Sequence, residues 1–268
     1  MTPRVLPVVL AVGGIDPSGG AGLAADLRAI ARAGGWGCPA CAVLTVQSTR
    51  GVRAVRPVPS PLLAAQARAI LRDTRVGAIK TGALGSAENV RTVARLSERA
   101  DVPLVVDPVL RPSRGRPALL GGARAVAAMR ALAALATVLL PNRFEAEALL
   151  GRRIRDGEEK DAARALRSEL GARAVLLKGG HFGDGPRVTD WLALPGSVRA
   201  LVHARTRAAV HGTGCALAAL LAGRLAALGA GRAARDAEIL AAGRWAHREL
   251  ASMLKRTAAI GRGMKVLS

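Results

Sequence analysis

Short, uninterrupted apolar runs alternate along this chain with longer stretches whose apolar residues recur at helical spacing. The strand-length runs are Val5–Val12, Ala40–Val46, Ala78–Lys80, Leu104–Asp107, Val138–Leu140 and Ala174–Lys178. Between them the periodicity predicts helices over Gly22–Ala33, Pro61–Arg72, Ala87–Arg99, Ala123–Leu132, Glu145–Leu150 and Glu158–Leu170. Two more, Cys215–Leu228 and Ala233–Lys255, close the chain. Strands that are apolar throughout are buried on both faces, so the repeating order predicts a three-layer α/β/α architecture with a mostly parallel central sheet. A hairpin, Asp190–Leu194 against Leu201–Arg205 around Pro195-Gly196, breaks the alternation. No composition shift or internal repeat divides the 268 residues, and a single domain over 1–268 is expected.

Ligands of such sheets bind beyond the carboxyl ends of the parallel strands. Those ends carry Gly13-Gly14-Ile15-Asp16, Thr45-Val46-Gln47, Lys80-Thr81-Gly82, Asp107-Pro108, Pro141-Asn142 and Lys178-Gly179-Gly180-His181. Polar and glycine residues therefore gather on one rim. The stretch His211-Gly212-Thr213-Gly214-Cys215, opening an apolar helix, lets backbone N–H groups converge where a helix end is positive, a place for a phosphate. The alternative is a helix start that merely tolerates glycine. Cys215 lies where that field favours a thiolate. The glycine-rich segment 13–22 matches neither a Rossmann nor a Walker pattern, and Asp26 one turn later points either back at that segment or to solvent. Asn142 and Glu145 have capping-box spacing. Glu145, with Asp107 as companion, also suits a hydrated Mg²⁺, which takes one or two carboxylates plus water and phosphate. Lys178 is placed to pair with Asp107 or touch a phosphate.

The net charge of +21 raises nucleic-acid binding as a function. Its arginines are scattered through all but one of the predicted helices, and two Phe, three Trp and no Tyr offer little for base stacking. The charge reads as a general basic composition that also favours acidic small substrates, with no nucleic-acid partner. Three cysteines form no disulfide framework, and Cys38 and Cys41 fall on an apolar strand, not at a redox helix start. No signal peptide and no apolar stretch of about 18 residues is visible. A soluble cytoplasmic protein without a membrane partner is expected.

The segment Gly14-Ile15-Asp16-Pro17-Ser18-Gly19-Gly20-Ala21-Gly22-Leu23-Ala24-Ala25-Asp26 closely resembles the opening of hydroxymethylpyrimidine/phosphomethylpyrimidine kinases, thiamin-biosynthesis enzymes of the ribokinase-like superfamily. The resemblance runs in family order through Leu44–Val52, Ile79–Gly82, Val106–Val109, Pro141–Ala146, Leu177–His181 and Asp190–Leu192 to His211–Cys215. It implies a ribokinase-like sheet of about eight or nine strands. It also implies γ-phosphoryl transfer from ATP, with Mg²⁺, to the hydroxymethyl of an aminopyrimidine and then to its monophosphate, and commonly a homodimer. Carried over by motif position, Gln47 would bind the aminopyrimidine with Gly14 and Asp26 nearby, and Ala21 and Val109 would line its apolar walls. Glu145 and Asp107 would organise Mg²⁺. Thr213, Asn142 and Lys178 would contact ATP, while Gly212, Gly214, Lys178 and Cys215 would act on the transferring phosphoryl group. Cys215 stands where many related sugar kinases carry an aspartate base, and acts either directly or as a substrate contact. The chain departs from the family at Ala83, where a methionine normally packs on the pyrimidine, and in the more basic loop Arg111–Arg116, either a lid or solvated charge. His181 and His211 either touch phosphate or cap a helix, His211 being the nearer candidate. Pyridoxal kinase activity is the neighbouring alternative; a nucleic-acid-binding platform and an inactive pyrimidine sensor account for fewer of these residues.

Overall fold

The computed structural model describes residues 5–112, 114–115, 118–206 and 209–268, so Ser113 and Arg116 of the basic loop lie outside the described residues. The first half of the chain runs β1 (Val8–Ile15), α1 (Gly22–Arg32), β2 (Trp36–Ser48), β3 (Gly51–Pro57), α2 (Ser60–Asp73), β4 (Val76–Thr81), α3 (Ala87–Glu98), β5 (Leu104–Val106) and α4 (Ala123–Ala134). The second half runs β6 (Val138–Leu139), α5 (Arg143–Leu150), α6 (Glu159–Leu170), β7 (Val175–Leu177), β8 (Arg187–Leu194), β9 (Ser197–Ala204), β10 (Val210–His211), α7 (Thr213–Ala227), α8 (Asp236–Leu254), β11 (Thr257–Ala258) and β12 (Lys265–Leu267). Nine strands form one sheet in the order β3-β2-β1-β4-β5-β6-β7-β8-β9. The six from β2 to β7 are parallel, and antiparallel strands finish both edges. The chain winds outward from β1 in both directions, so the β1/β4 boundary is the switch point where such sheets open a ligand crevice.

Each face of the sheet carries its own apolar core. Leu63, Val90, Val93, Met129, Leu132, Leu149 and Leu166 from α2 to α6 cover one side. Leu23, Ile30, Leu217, Leu220, Leu221, Leu225 and Ile239 from α1, α7 and α8 cover the other. Helix α7 is apolar nearly all round because it lies between the sheet and both its helical neighbours. Leu220, Leu221 and Leu225 are at most 1% exposed, and each such burial contributes about 1.5–3 kcal/mol. That packing fixes the start of α7 rigidly against the sheet.

Several boundaries differ from the sequence expectation. Strand β1 runs on through Gly13-Gly14-Ile15, beyond the expected end at Val12, and its register to β2 shifts between Gly13 and Gly14. Glycines inside a strand allow that bulge. The two-residue turn Pro195-Gly196 sets Leu194 opposite Ser197, so the hairpin's second arm starts four residues before the expected Leu201. Helix α8 begins at Asp236 and not at Ala233. The edge strand β3 and the small sheet β10-β12-β11 were not expected. The small sheet positions the rim: β12 pairs in parallel with β10, and the Gly263 and Met264 N–H groups donate to the Thr49 hydroxyl and carbonyl at the start of the β2–β3 turn.

Candidate functional site

A cleft of about 1190 Å³ opens at the carboxyl ends of the parallel strands. Every residue singled out above as a site candidate lines it: Gly14, Ala21, Asp26, Gln47, Asp107, Val109, Asn142, Glu145, Lys178, Gly212, Thr213, Gly214 and Cys215.

At its base, under the switch point, lies an ion pair that the sequence reading did not anticipate. Asp26 projects from α1 into the sheet and not to solvent, and Lys80 Nζ, one residue before the end of β4, reaches its Oδ1 at 2.7 Å. Both side chains are at most 1% exposed. Burial pushes the Asp26 carboxyl above its ordinary value, with Lys80 opposing; burial is also the largest influence on the Lys80 ammonium and disfavours it, but Asp26, Cys215 and Asp107 together raise the lysine above its ordinary value and keep it charged. A charge inside the apolar run Ala78-Ile79-Lys80 needs a buried partner, and that requirement was legible in the sequence.

The glycine-rich segment after β1 is held by Asp16, a second residue the sequence reading passed over. Its Oδ1 accepts from Ser18 N and Oγ at 2.9 and 2.7 Å, and its Oδ2 accepts from Ala21 N at 2.8 Å and faces His211 Nε2 at 3.0 Å. Burial works against the charge, but the hydrogen bonds from His211, Ser18 and Ala21 prevail and hold the carboxyl below its usual range. Because a carboxylate only accepts, His211 carries its hydrogen on Nε2. The Gln47 amide lies 2.8 Å from that nitrogen and 3.3 Å from Thr45 Oγ1, whose own hydrogen goes to Ile15 O at 2.8 Å. The network closes when the Gln47 oxygen faces His211 and its NH₂ faces Thr45. His211 thus orients the amide, a different task from capping a helix or holding a phosphate.

The phosphate-like corner is built from three elements. Asn142 Oδ1 accepts from Glu145 N at 3.0 Å, and Glu145 Oε2 accepts from Asn142 N at 2.8 Å, the expected capping box at the start of α5. Lys178, just beyond β7, donates to Asp107 Oδ1 at 2.8 Å and lies 3.8 Å from Glu145 Oε2. Burial, together with the neighbouring Asp107, pushes the Glu145 carboxyl up to about 7 against the pull of Lys178. Burial disfavours the Lys178 charge too, yet Asp107 and Glu145 hold it above the usual lysine range. Two carboxylates therefore share one ammonium in a buried corner, an oxygen-donor set with an excess of negative charge. That set fits Mg²⁺.

Gly212 sits in the left-handed region at φ 80°, and a Cβ there would collide with the Gly20 carbonyl, so the Gly19–Gly22 turn packs directly on the start of α7. The first N–H groups of α7, from Thr213 to Cys215, have no acceptor inside their own helix. A Cβ on Gly214 would lie 3.5 Å from Lys178 Nζ, which places that ammonium beside the helix end. Cys215 does not follow the thiolate expectation. Burial pushes its thiol up to about 11, and the nearby Asp26 and Asp107 add to this, while Lys80 and the Gly22 N–H pull the other way. Desolvation outweighs the helix end here. Cys38 is buried and Cys41 half-buried in β2, both pushed up chiefly by burial. Phe144, 60% exposed, and His181 also line the cleft, with ring centroids 5.2 Å apart.

A parallel α/β sheet with an anion-binding helix end, a lysine and paired carboxylates at its carboxyl rim defines a phosphotransferase of the ribokinase-like class. The family model described as phosphomethylpyrimidine kinase matches residues 16–266. A hydroxymethylpyrimidine/phosphomethylpyrimidine kinase from Synechococcus elongatus is 38% identical over 96% of this chain and 95% of its own length. Among solved structures, pyridoxal kinase from Staphylococcus aureus in complex with AMP-PCP and pyridoxal superimposes with a TM-score of 0.85 at 26% identity, covering 99% of this chain and 94% of that one. Phosphomethylpyrimidine kinase from Clostridium difficile gives 0.76 at 27% identity, covering 91% and 98%. The chain belongs to the phosphomethylpyrimidine kinase family and is a kinase.

Proposed function

We propose that the chain transfers the γ-phosphoryl group of ATP to the hydroxymethyl oxygen of 4-amino-5-hydroxymethyl-2-methylpyrimidine, and then to the monophosphate so formed. The observation that carries this reading is one cleft in which the start of α7 and Lys178 adjoin the Asp107–Glu145 pair and share the lining with the Gln47 amide held by His211. In each step the acceptor oxygen forms a bond to the γ-phosphorus, the bond to the bridging oxygen breaks, and ADP leaves. Such transfers depend mainly on positioning and charge neutralisation. The N–H groups of Thr213–Cys215 and the Lys178 ammonium supply the second where charge gathers, and one such donor is typically worth about 2.7–4 kcal/mol. Asp107 and Glu145 would hold Mg²⁺, which when bound neutralises phosphate oxygens. Gln47 offers donor and acceptor to the aminopyrimidine, held by His211 and Thr45, and Gly14, Ala21 and Val109 shape the ring's apolar surroundings. Asp26, tied to Lys80, lies near that ring as a fixed floor. Asn142 and Thr213 sit on the nucleotide side. Cys215, protonated in the free protein, meets the acceptor oxygen as a neutral thiol, and takes the hydroxyl proton only as it hands its own to a phosphoryl oxygen.

A second reading, turnover of pyridoxal, is favoured by Ala83. It lines the cleft beside Gly14 and leaves open the volume a methionine would fill. Steady-state kinetics with the two alcohols side by side decide between them. The pyrimidine gives the higher kcat/KM on the first reading, and preferred turnover of pyridoxal overturns it.

The same proposal has the whole chain acting as one kinase domain in a cytoplasmic homodimer. Ile15 and Leu44, register partners on β1 and β2, are both exposed beside Val46 and offer an apolar contact for a second copy. Among the described residues no helix is long and apolar enough to cross a membrane.

A further inference from the structure

Outside the cleft lining, Asp190 on β8, His203 on β9 and His247 on α8 converge. One ligand atom from each lies within 4.8 Å of the others. His247 Nε2 is 2.8 Å from Asp190 Oδ2, and His203 Nε2 is 3.6 Å from Asp190 Oδ1. The opposite ring nitrogens are both committed to backbone carbonyls: His247 Nδ1 lies 2.8 Å from Gly243 O and His203 Nδ1 lies 3.2 Å from Ala204 O. A carbonyl only accepts, so each Nδ1 bears a hydrogen, and in the neutral rings both Nε2 lone pairs face one carboxylate. Lone pairs aimed at a buried carboxylate call for a cation between them, either a proton on a ring or a metal ion. Histidines fixed through Nδ1–H to a carbonyl are in the arrangement that orients metal-binding imidazoles.

We propose that Asp190, His203 and His247 form a binding site for a divalent transition-metal ion, zinc foremost, separate from the Asp107–Glu145 corner. Two imidazoles and one carboxylate are zinc ligands, whereas Mg²⁺ takes oxygen donors. A tetrahedral zinc at about 2.0–2.1 Å from its ligands sets them roughly 3.3 Å apart. The 2.8 and 3.6 Å that separate His247 Nε2 and His203 Nε2 from the two different oxygens of Asp190 lie either side of that value. Three protein ligands leave a fourth position for water, on the side where the His203 side chain is 33% exposed. The ion would join α8 to the β8–β9 hairpin. It would also brace the turn that carries Lys178, because Asp190 Oδ1 accepts from Gly179 N at 2.7 Å.

Isothermal titration of the metal-stripped protein with ZnCl₂, and with CoCl₂ for its visible d–d absorption, tests the site without reference to catalysis. The expected result is one equivalent of metal, a raised Tm, and affinity at least tenfold weaker in both His203→Ala and His247→Ala. Cys215→Ala, which alters only the cleft, keeps the wild-type affinity. Asp190 is left unchanged because it also holds Gly179. Should His247→Ala fail to fold, the partly exposed His203 decides alone. No uptake of zinc, or wild-type affinity in His203→Ala, overturns the assignment, as does loss of zinc binding in Cys215→Ala alone.

Discussion

Replacing Lys80 by methionine removes the cation from a pair whose two side chains are at most 1% exposed. The remaining Asp26 carboxyl is buried, and its Oδ2 already lacks a hydrogen-bond partner among the described residues. Breaking a buried pair from one side costs about 3–5 kcal/mol, because the surviving charge is left unpaired. For a chain of this size that lowers Tm by about 6–20 °C. The cost has a limit that pH controls. Burial raises the Asp26 carboxyl above its ordinary value, and without Lys80 nothing opposes that shift. A group with a raised folded pKa contributes stability that is complete below its unfolded value, near 3.9, and lost as pH rises through the folded value. The deficit of Lys80→Met is therefore smaller at pH 5 than at pH 8, changing by up to about 1.4 kcal/mol per pH unit inside that window. Combining Lys80→Met with Asp26→Leu removes both charges and restores most of the loss. Urea unfolding of the single and double variants from pH 5 to 8 measures all three quantities. A single variant within about 1 kcal/mol of wild type at pH 8, or a deficit that grows toward acid, refutes the reasoning.

Glu145, pushed up to about 7 chiefly by burial, is protonated on the acid side of that value, so protons compete with Mg²⁺. The Mg²⁺ concentration for half-maximal rate should rise up to tenfold per pH unit below about 7 and level off above it; a flat dependence from pH 5.5 to 8 removes Glu145 from the metal site. In the metal-free protein the same raised carboxyl makes stability fall as pH rises from the ordinary glutamate range through about 7, and excess Mg²⁺ at pH 8 should recover it in a thermal melt. Cys215, at about 11, is ionised only to the order of 0.1% at pH 8, so iodoacetamide should label it about two orders of magnitude more slowly than a free cysteine near 8.5. Rapid labelling contradicts the buried, protonated thiol. Cys215→Ser should retain pyrimidine binding in equilibrium titration while turnover falls, and full activity takes the thiol out of the transfer step.

The positions legible in the sequence were those where a residue type has one physical use. The six parallel strands could be read because each is apolar on both faces. The Asn142–Glu145 capping box could be read from its spacing, and the start of α7 from the glycines that precede its apolar run; the packing of Gly212 on Gly20 could not. The Lys178–Asp107 contact followed because both residues lie just past the carboxyl ends of parallel strands, β5 and β7, which flank β6. Strands β10, β11 and β12 carry no readable period, being two or three residues long, so the small sheet that supports His211 was invisible. Asp16 and His211 stand inside recognisable motifs, but their tasks depend on a contact 195 residues apart in sequence. The Cys215 expectation failed for an energetic reason: the helix end was visible and the desolvation that outweighs it was not. Asp26 remained ambiguous between two directions until Lys80 supplied the charge that draws it inward.

Every role assigned to the cleft rests on phosphorylation of the pyrimidine alcohol and then of its monophosphate. Phosphorus NMR and mass spectrometry of a reaction containing the chain, ATP, Mg²⁺ and 4-amino-5-hydroxymethyl-2-methylpyrimidine follow both products against time. The expected course is the monophosphate first and the pyrophosphate after it, with one ADP formed per phosphoryl group transferred and neither product without Mg²⁺. ADP released with no phosphorylated pyrimidine, or no reaction at all with a folded protein, contradicts it.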